Sequence, residues 1–496
     1  CGSVYAGTSF LILGHGTIGG MSRKNLQTKI AGPNRLRALP SVDRVLSHEA
    51  LQSTLSALPH ELVAQAVRDE LDSIRELLRR DGTEAPDASL IAARVVARAW
   101  NTVAPSLQPV INATGVVIHT NLGRAPLSRA AREAVARASG YGNLEFDLES
   151  GARGSRYVHA VDILRRVTGC ESALVVNNNA AALVLVLAAL GKDKEVVVSR
   201  GQLVEIGGGF RIPEIMSQSG ARLVEVGTTN RTYVADYSRA ITEETALLMR
   251  IHASNFRIMG FTTTPTVAEL ASLAHERGVF MVDDVGSGAL LDTTRYGLAA
   301  EPTVQASLAA GADIVLFSGD KLLGGPQCGV IVGKWGIIET LTRHPLARAL
   351  RVDKLTLAAL EATLGHYLKG EAEKEVPVWR MIAASQEELK ARAENWATRL
   401  TKEGVRCEVV PGESAIGGGS LPAETLPTWL VKIAVQGTEE SNSEDAGRLA
   451  HTLRKSATPV IARVEHGTLL LDPRTVLEEQ EDTLLSEVGE CVMRDA

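Results

Sequence analysis

Lys321 stands in a turn, Phe317-Ser318-Gly319-Asp320-Lys321-Leu322-Leu323-Gly324-Gly325-Pro326, between two apolar runs, Asp313-Ile314-Val315-Leu316-Phe317 and Cys328-Gly329-Val330-Ile331-Val332-Gly333. Both runs have the β-branched content of strands. Glycines let a backbone approach a ligand closely. Apolar strands desolvate an ammonium and lower its pKa, which a lysine that forms an imine requires. Taken alone, the stretch is equally a surface lysine in a hairpin loop. Two further strand ends change the balance. Val282-Asp283-Asp284-Val285-Gly286 puts an acid at the end of an apolar strand, where burial is costly without a cationic partner. A protonated pyridine nitrogen is such a partner, for Asp284 or, second, for Asp283. Val176-Asn177-Asn178-Asn179-Ala180-Ala181-Ala182 ends a strand and starts an Ala-rich helix. Its N-terminus is either a phosphate site or an ordinary asparagine cap. Phosphate anchor, acid and lysine, in that order, are the three parts that hold pyridoxal phosphate.

The surrounding elements support this arrangement. Strands are predicted at 173–177, 195–199, 221–227, 246–252, 279–285 and 313–317, and helices at 180–190, 267–278 and 302–310. Such alternation predicts a mostly parallel α/β sheet with ligands beyond the carboxyl ends of its strands. Upstream, Val116–Thr120 is strand-like and Ser128 can cap a helix from Arg129 to Ala138. The loop Gly151-Ala152-Arg153-Gly154-Ser155-Arg156 suits an anion or is a surface turn.

Residues 21–97 predict a polar helical module, with Val42, Leu46, Leu51, Leu55, Leu58 and Leu62 at helical spacing and Pro59 dividing two helices. An amphipathic stretch from Ala64 to Arg80 ends at Asp81-Gly82. Arg23, Lys24, Lys29, Arg35, Arg37 and Arg44 make its start basic, either to hold RNA phosphates or as a solvated face. Gly14-His15-Gly16-Thr17-Ile18-Gly19 matches a dinucleotide-binding pattern. The polar, basic residues after it do not make the apolar helix that the pattern needs. Met21 reads as a natural start and residues 1–20 as an extension of unknown role. The expected division is then 21–97, a linker and large domain at 98–355, and a small C-terminal α/β domain at 356–496, with strands at 429–435 and 466–471.

The 496 residues are 45% hydrophobic and 4% aromatic, with a formal net charge of -6. Scarce aromatics argue against a base-stacking platform, and mild acidity confines any nucleic-acid contact to local basic patches. The five cysteines are scattered without a CxxC pair, so neither a disulfide framework nor a metal site is expected, and the cytoplasm is the expected compartment. No run reaches membrane-spanning length.

The run from Ile111 to Leu127, INATGVVIHTNLGRAPL, resembles the signature of the bacterial L-seryl-tRNA(Sec) selenium transferases. The likeness continues through Val176–Ala182, Ser199–Gly208, Ser318–Gln327 and Gly417–Pro422, and it includes Leu36–Asp43 near the start. The resemblance implies a fold-type-I pyridoxal-phosphate transferase whose helical N-terminal module grips tRNA, assembled as a homodecamer, a pentamer of dimers. Serine esterified to tRNA(Sec) would form an aldimine with the cofactor and lose its α-proton and β-hydroxyl. The aminoacrylyl-tRNA left behind would take selenium from selenophosphate. On this reading Lys321 carries the cofactor and then acts as base, and Asp320 beside it is a second participant or a turn cap. Asp284 holds the ring nitrogen protonated, and Asn178, Asn179, Ala180 and Ser318 bind the cofactor phosphate. Arg124, Arg348 and Arg351 form the donor cluster, the last two on one helix face by their spacing. Arg463 would be structural or touch the tRNA terminus, because an esterified serine has no free carboxylate. The alternatives are an ammonia-lyase acting on a small amino-sugar acid, a non-catalytic tRNA scaffold and, last, a nicotinamide oxidoreductase. The helical module argues against the first and the intact lysine motif against the second.

Overall fold

Strands β1 (Ile111–Ala113) and β2 (Val116–Ile118) open the larger of two units in this computed structural model. The structure describes residues 39–81, 85–207, 209–434 and 439–495. The 14–19 glycine motif, Met21 and the basic residues Arg23 to Arg37 lie outside them. One unit ends at Gln108 and the other spans Pro109–Ala496.

After β2 come β3 (Ser172–Val176), β4 (Glu195–Ser199), a short ribbon of β5 (Glu205–Ile206) and β6 (Phe210–Arg211), and β7 (Arg222–Val226). Then follow β8 (Thr245–Ile251), β9 (Phe280–Gly286), β10 (Ile314–Ser318) and β11 (Gly329–Gly333). Seven of these form one sheet in the order β3-β11-β10-β9-β8-β4-β7. All pairings are parallel except those of β11, which runs against both neighbours. Every residue of β10 and β11 is buried, as expected of central strands covered on both faces. The helix Asn179–Leu190 is apolar around its whole circumference and packs into one of the two cores that flank the sheet.

A second sheet, β1-β14-β15-β13-β12-β2, contains β12 (Cys407–Gly417), β13 (Thr425–Ile433), β14 (Val460–Glu465) and β15 (Thr468–Leu471). β1 pairs in parallel with β14 and β2 with β12. This corrects the expected division, because residues 111–118, assigned by sequence to the large domain, belong to the sheet of the small one. Ile111 and Ala113 pack into the apolar core of that sheet, and a buried polar knot fixes the turn after β1. Gly115 N–H donates to Thr475 Oγ1 at 3.0 Å, and Thr475 Oγ1 donates to Asn112 O at 2.9 Å. Asp472, against which Gly115 packs, accepts from Ser414 and Thr428.

The smaller unit is helical. Pro59 separates Gln52–Ala57 from His60–Asp81, and Ala88–Val103 follows. In His60–Asp81 the buried Val63, Val67, Leu71, Ile74 and Leu78 recur every three or four residues, giving one apolar face. It packs with Ile91, Val95 and Ala99. Since Ala88–Val103 runs through residue 97, the boundary expected there falls inside a helix, and the two units divide after Gln108.

Candidate active site

Strand register brings the chemistry to one edge. Val176, Gly329 and Ser318 lie side by side across β3, β11 and β10, and Ile251, Asp284 and Leu316 across β8, β9 and β10. The segment after β3 therefore meets the turn after β10. Asn178 caps the helix that starts at Asn179, its Oδ1 accepting from Ala181 N–H at 2.8 Å. A Cβ on Gly329 would stand 2.1 Å from Asn178 O, so only glycine lets that turn lie so low on the sheet.

Lys321 is 5% exposed. Burial pushes its pKa down, the Arg124 guanidinium adds to this, and Asp284, Asp320 and Glu301 oppose it. Asp284 takes one hydrogen bond from Asn179 Nδ2 at 2.9 Å and one from Gly286 N–H at 3.1 Å. Burial pushes its carboxyl up to about 6. Asp283 is on the opposite face of β9, 3.0 Å from Arg250 Nε. Geometry thus separates two acids that sequence left as alternatives, since Asp284, with Asn179 and Lys321 as its partners, occupies the site. Asn179 Oδ1 is buried and accepts no hydrogen bond, an atom left for a ligand.

Asp320 Oδ2 accepts from Arg124 Nη1 at 2.8 Å. Arg124 sits at a left-handed φ of 64°, next to a backbone bond from Ala125 N–H to Asp320 O. Its partner is thus Asp320, beside the lysine. Arg348 and Arg351 line a separate cavity of about 520 Å³ together with Arg153 and Arg156 of the Gly-Arg loop. Arg124 does not line it. The expectation that Arg348 and Arg351 share a helix face is corrected. The helix is only Pro345–Ala349, and Arg351 lies beyond it, bridged to Val176. A bond from Asn177 N–H to Leu350 O pulls the chain onto the end of β3. Among the described residues Glu145 is the one carboxylate lining this cavity, and Arg156 and Arg153 hold it below its usual range.

Several residues of the site had no role assigned from sequence. Gly419, at φ +80°, lies over the lysine, and a Cβ there would be 2.7 Å from Lys321 Nζ. The run Gly417-Gly418-Gly419 was its visible signal. Ser254 is buried, its Oγ 3.6 Å from where a Cβ on Gly286 would stand, and that point is 3.9 Å from Lys321 Nζ. His252 donates its backbone N–H to Asp284 O at 2.8 Å and places its ring 3.3 Å from Glu301. Nothing local in the sequence marks Ser254 or Glu301. Arg463 donates to Glu413 O at 3.0 Å and lies 3.6 Å from Glu465, within the small-domain sheet.

A helix N-terminus, a buried acid and a buried lysine on one edge of a mostly parallel sheet define a fold-type-I pyridoxal-phosphate transferase architecture. Among solved structures the chain superposes on D-glucosaminate-6-phosphate ammonia-lyase with a TM-score of 0.55 and 21% identity, covering 78% of this chain and 97% of that one. That likeness is one of fold. The family model for L-seryl-tRNA selenium transferase matches residues 110–477, and that for the selenocysteine synthase N-terminus matches 36–75. The chain is 49% identical to the L-seryl-tRNA(Sec) selenium transferase of Moorella thermoacetica, over 91% of this chain and 96% of that one. It is 47% identical to the enzyme of the same description from Geobacter sulfurreducens, over 91% and 98%. The chain belongs to the L-seryl-tRNA selenium transferase family.

Proposed function

We propose that this protein converts L-seryl-tRNA(Sec) to L-selenocysteinyl-tRNA(Sec) with pyridoxal phosphate as cofactor and selenophosphate as donor. The observation that carries the reading is the meeting of Asn178 and Asn179, Asp284 and Lys321 at one sheet edge in a chain of this family. The residues fit the cofactor. The unpartnered Asn179 Oδ1 and the glycines at 286 and 419 leave polar capacity and room beside the lysine. Asn178, Asn179 and Ala180 at the helix start, with Ser318, would hold its phosphate, and Asp284 would pair with its ring nitrogen. When bound, the cofactor supplies an electron sink for the carbanion formed at the serine α-carbon.

The other roles belong to side chains. Lys321, with its pKa lowered by burial, carries the cofactor and, once released, takes the α-proton of the seryl group. Asp320, fixed by Arg124, orients that ammonium, which would return its proton to the β-hydroxyl so that it leaves as water. Arg348 and Arg351, with Arg153 and Arg156, outnumber Glu145 in their cavity and suit a phosphate-like dianion. The helical N-terminal unit, which ends at Gln108, binds the tRNA body.

We also read the enzyme as cytoplasmic and as a homodecamer of five dimers. Cys170, Cys328 and Cys407 are free thiols, and among the described residues no helix is long and apolar enough to cross a membrane. Exposed Tyr141, Leu148, Met259 and Phe261 supply apolar surface for subunit contacts.

Purified holoenzyme, selenophosphate and either seryl-tRNA(Sec) or seryl-tRNA(Ser) test the activity. Selenocysteine recovered on the first tRNA alone is the expected result. No product from either, with cofactor bound, overturns the reading.

A further inference from the structure

A second cavity, of about 560 Å³, opens beside the lysine at the ends of β4 and β8. Its walls are continuous with the site already described. His252 and Ala253 line it, and the next residue, Ser254, lies near Lys321. On the other side Leu421 and Pro422 line it, two and three residues beyond the Gly419 that covers Lys321.

Its chemistry differs from that of the arginine cavity. Each arginine at its wall is already matched. Arg250 is 3.0 Å from Asp283, Arg257 Nη1 donates to Glu424 at 3.2 Å, and His252 is 3.3 Å from Glu301. The remaining lining mixes neutral hydroxyl and amide side chains with apolar ones, Phe256, Ile258 and Leu421 among them. A dianion entering would meet the carboxylates of Glu301 and Glu424 without a free cation to offset them. A neutral ligand rich in hydroxyl and amino donors fits instead. Glu301 Oε1 is buried and accepts no hydrogen bond from the described residues, so it is poised to take one from such a ligand.

We propose that this cavity receives the 3′-terminal nucleoside of the charged tRNA, base and ribose, while the serine esterified to that ribose reaches past Ser254 to Lys321. The inference rests on the selenium-transferase reading and adds where the reacting end of the RNA is held. The ester joins serine directly to the terminal ribose, so the nucleoside must lie in a space adjoining the lysine, and this cavity adjoins it.

The test fills the mouth of the cavity. Thr229 and Thr264 line it, both are exposed, and neither has a part in the chemistry. Holoenzymes carrying Thr229→Trp or Thr264→Trp should bind cofactor with the wild-type absorption spectrum. Their KM for seryl-tRNA(Sec) should rise about ten-fold or more at saturating selenophosphate. Competition by uncharged tRNA(Sec) with and without its terminal adenosine gives the second readout. Wild type should prefer the complete tRNA, and both variants should lose the preference while binding the truncated one unchanged. Wild-type turnover with KM and preference unmoved in both variants overturns the cavity assignment alone. Absence of wild-type turnover overturns the transferase reading and this assignment with it.

Discussion

Asp284 gives a prediction whose sign and size both come from its surroundings. Burial raises its carboxyl from 3.8 to about 6, against the opposing pull of Asn179 and Lys321. Each pKa unit is worth ~1.4 kcal/mol, so ionising Asp284 in the cofactor-free protein costs about 3 kcal/mol. The folded value lies above the unfolded one. The stabilising contribution is therefore complete below the unfolded value of 3.8 and is lost as pH rises through about 6. Asp284→Asn removes the titration while leaving an oxygen to accept from Asn179. Urea unfolding of apo protein, followed through the buried Trp379 and Trp396, reads the effect. Wild type should lose about 3 kcal/mol relative to the variant between roughly pH 4 and pH 7. On the proposed placement of pyridoxal phosphate, its ring nitrogen would be the cationic partner of Asp284, and that loss should disappear in the holoenzyme. Apo wild type and variant keeping parallel stabilities across this range would refute the reasoning, because Asp284 would then not be held neutral.

Three further outcomes follow from individual contacts. Gly419→Ala places a Cβ 2.7 Å from Lys321 Nζ at φ +80°; turnover should drop about a hundred-fold with the fold retained by circular dichroism, and wild-type turnover would show that the lysine does not need that space. Arg351→Ala removes a guanidinium from the cavity shared with Arg348; KM for selenophosphate should rise about ten-fold while KM for seryl-tRNA(Sec) holds, and the reverse pattern would assign Arg351 to the RNA. Gly115→Ala, at φ +77° with its Cβ 2.1 Å from Asp472 Oδ2, should cost about 2–4 kcal/mol, measured by thermal unfolding, and an unchanged midpoint would contradict the packed turn.

Local signals were legible where local physics decides. β4 occupies the predicted 195–199, because a short β-branched run between turn residues has few other uses. Asn178 and Ser128 cap the helices their side chains predict, since a cap needs only the next three residues. The spacing of Arg348 and Arg351 misled for a related reason. Helical periodicity applies only while the helix lasts, and a backbone bond from Asn177, far off in sequence, draws the chain out of it after Ala349.

The sequence by itself determined the alternating strands and helices and the candidate phosphate anchor and lysine, because strand content, capping and glycine-rich turns are written within a few residues. Only the tertiary structure chose between Asp283 and Asp284. Adjacent residues of one strand point to opposite faces, and which face carries Lys321 depends on how β9 sits among its neighbours. Tertiary structure also joined β1 and β2 to strands some 300 residues later and set Gly419 over the lysine. Such pairings are won by burying apolar residues such as Ile111 and Ala113 against Val460 and Leu469, with buried Asp472 and Thr475 satisfied by distant partners, and no local window of the chain contains both sides of those contacts.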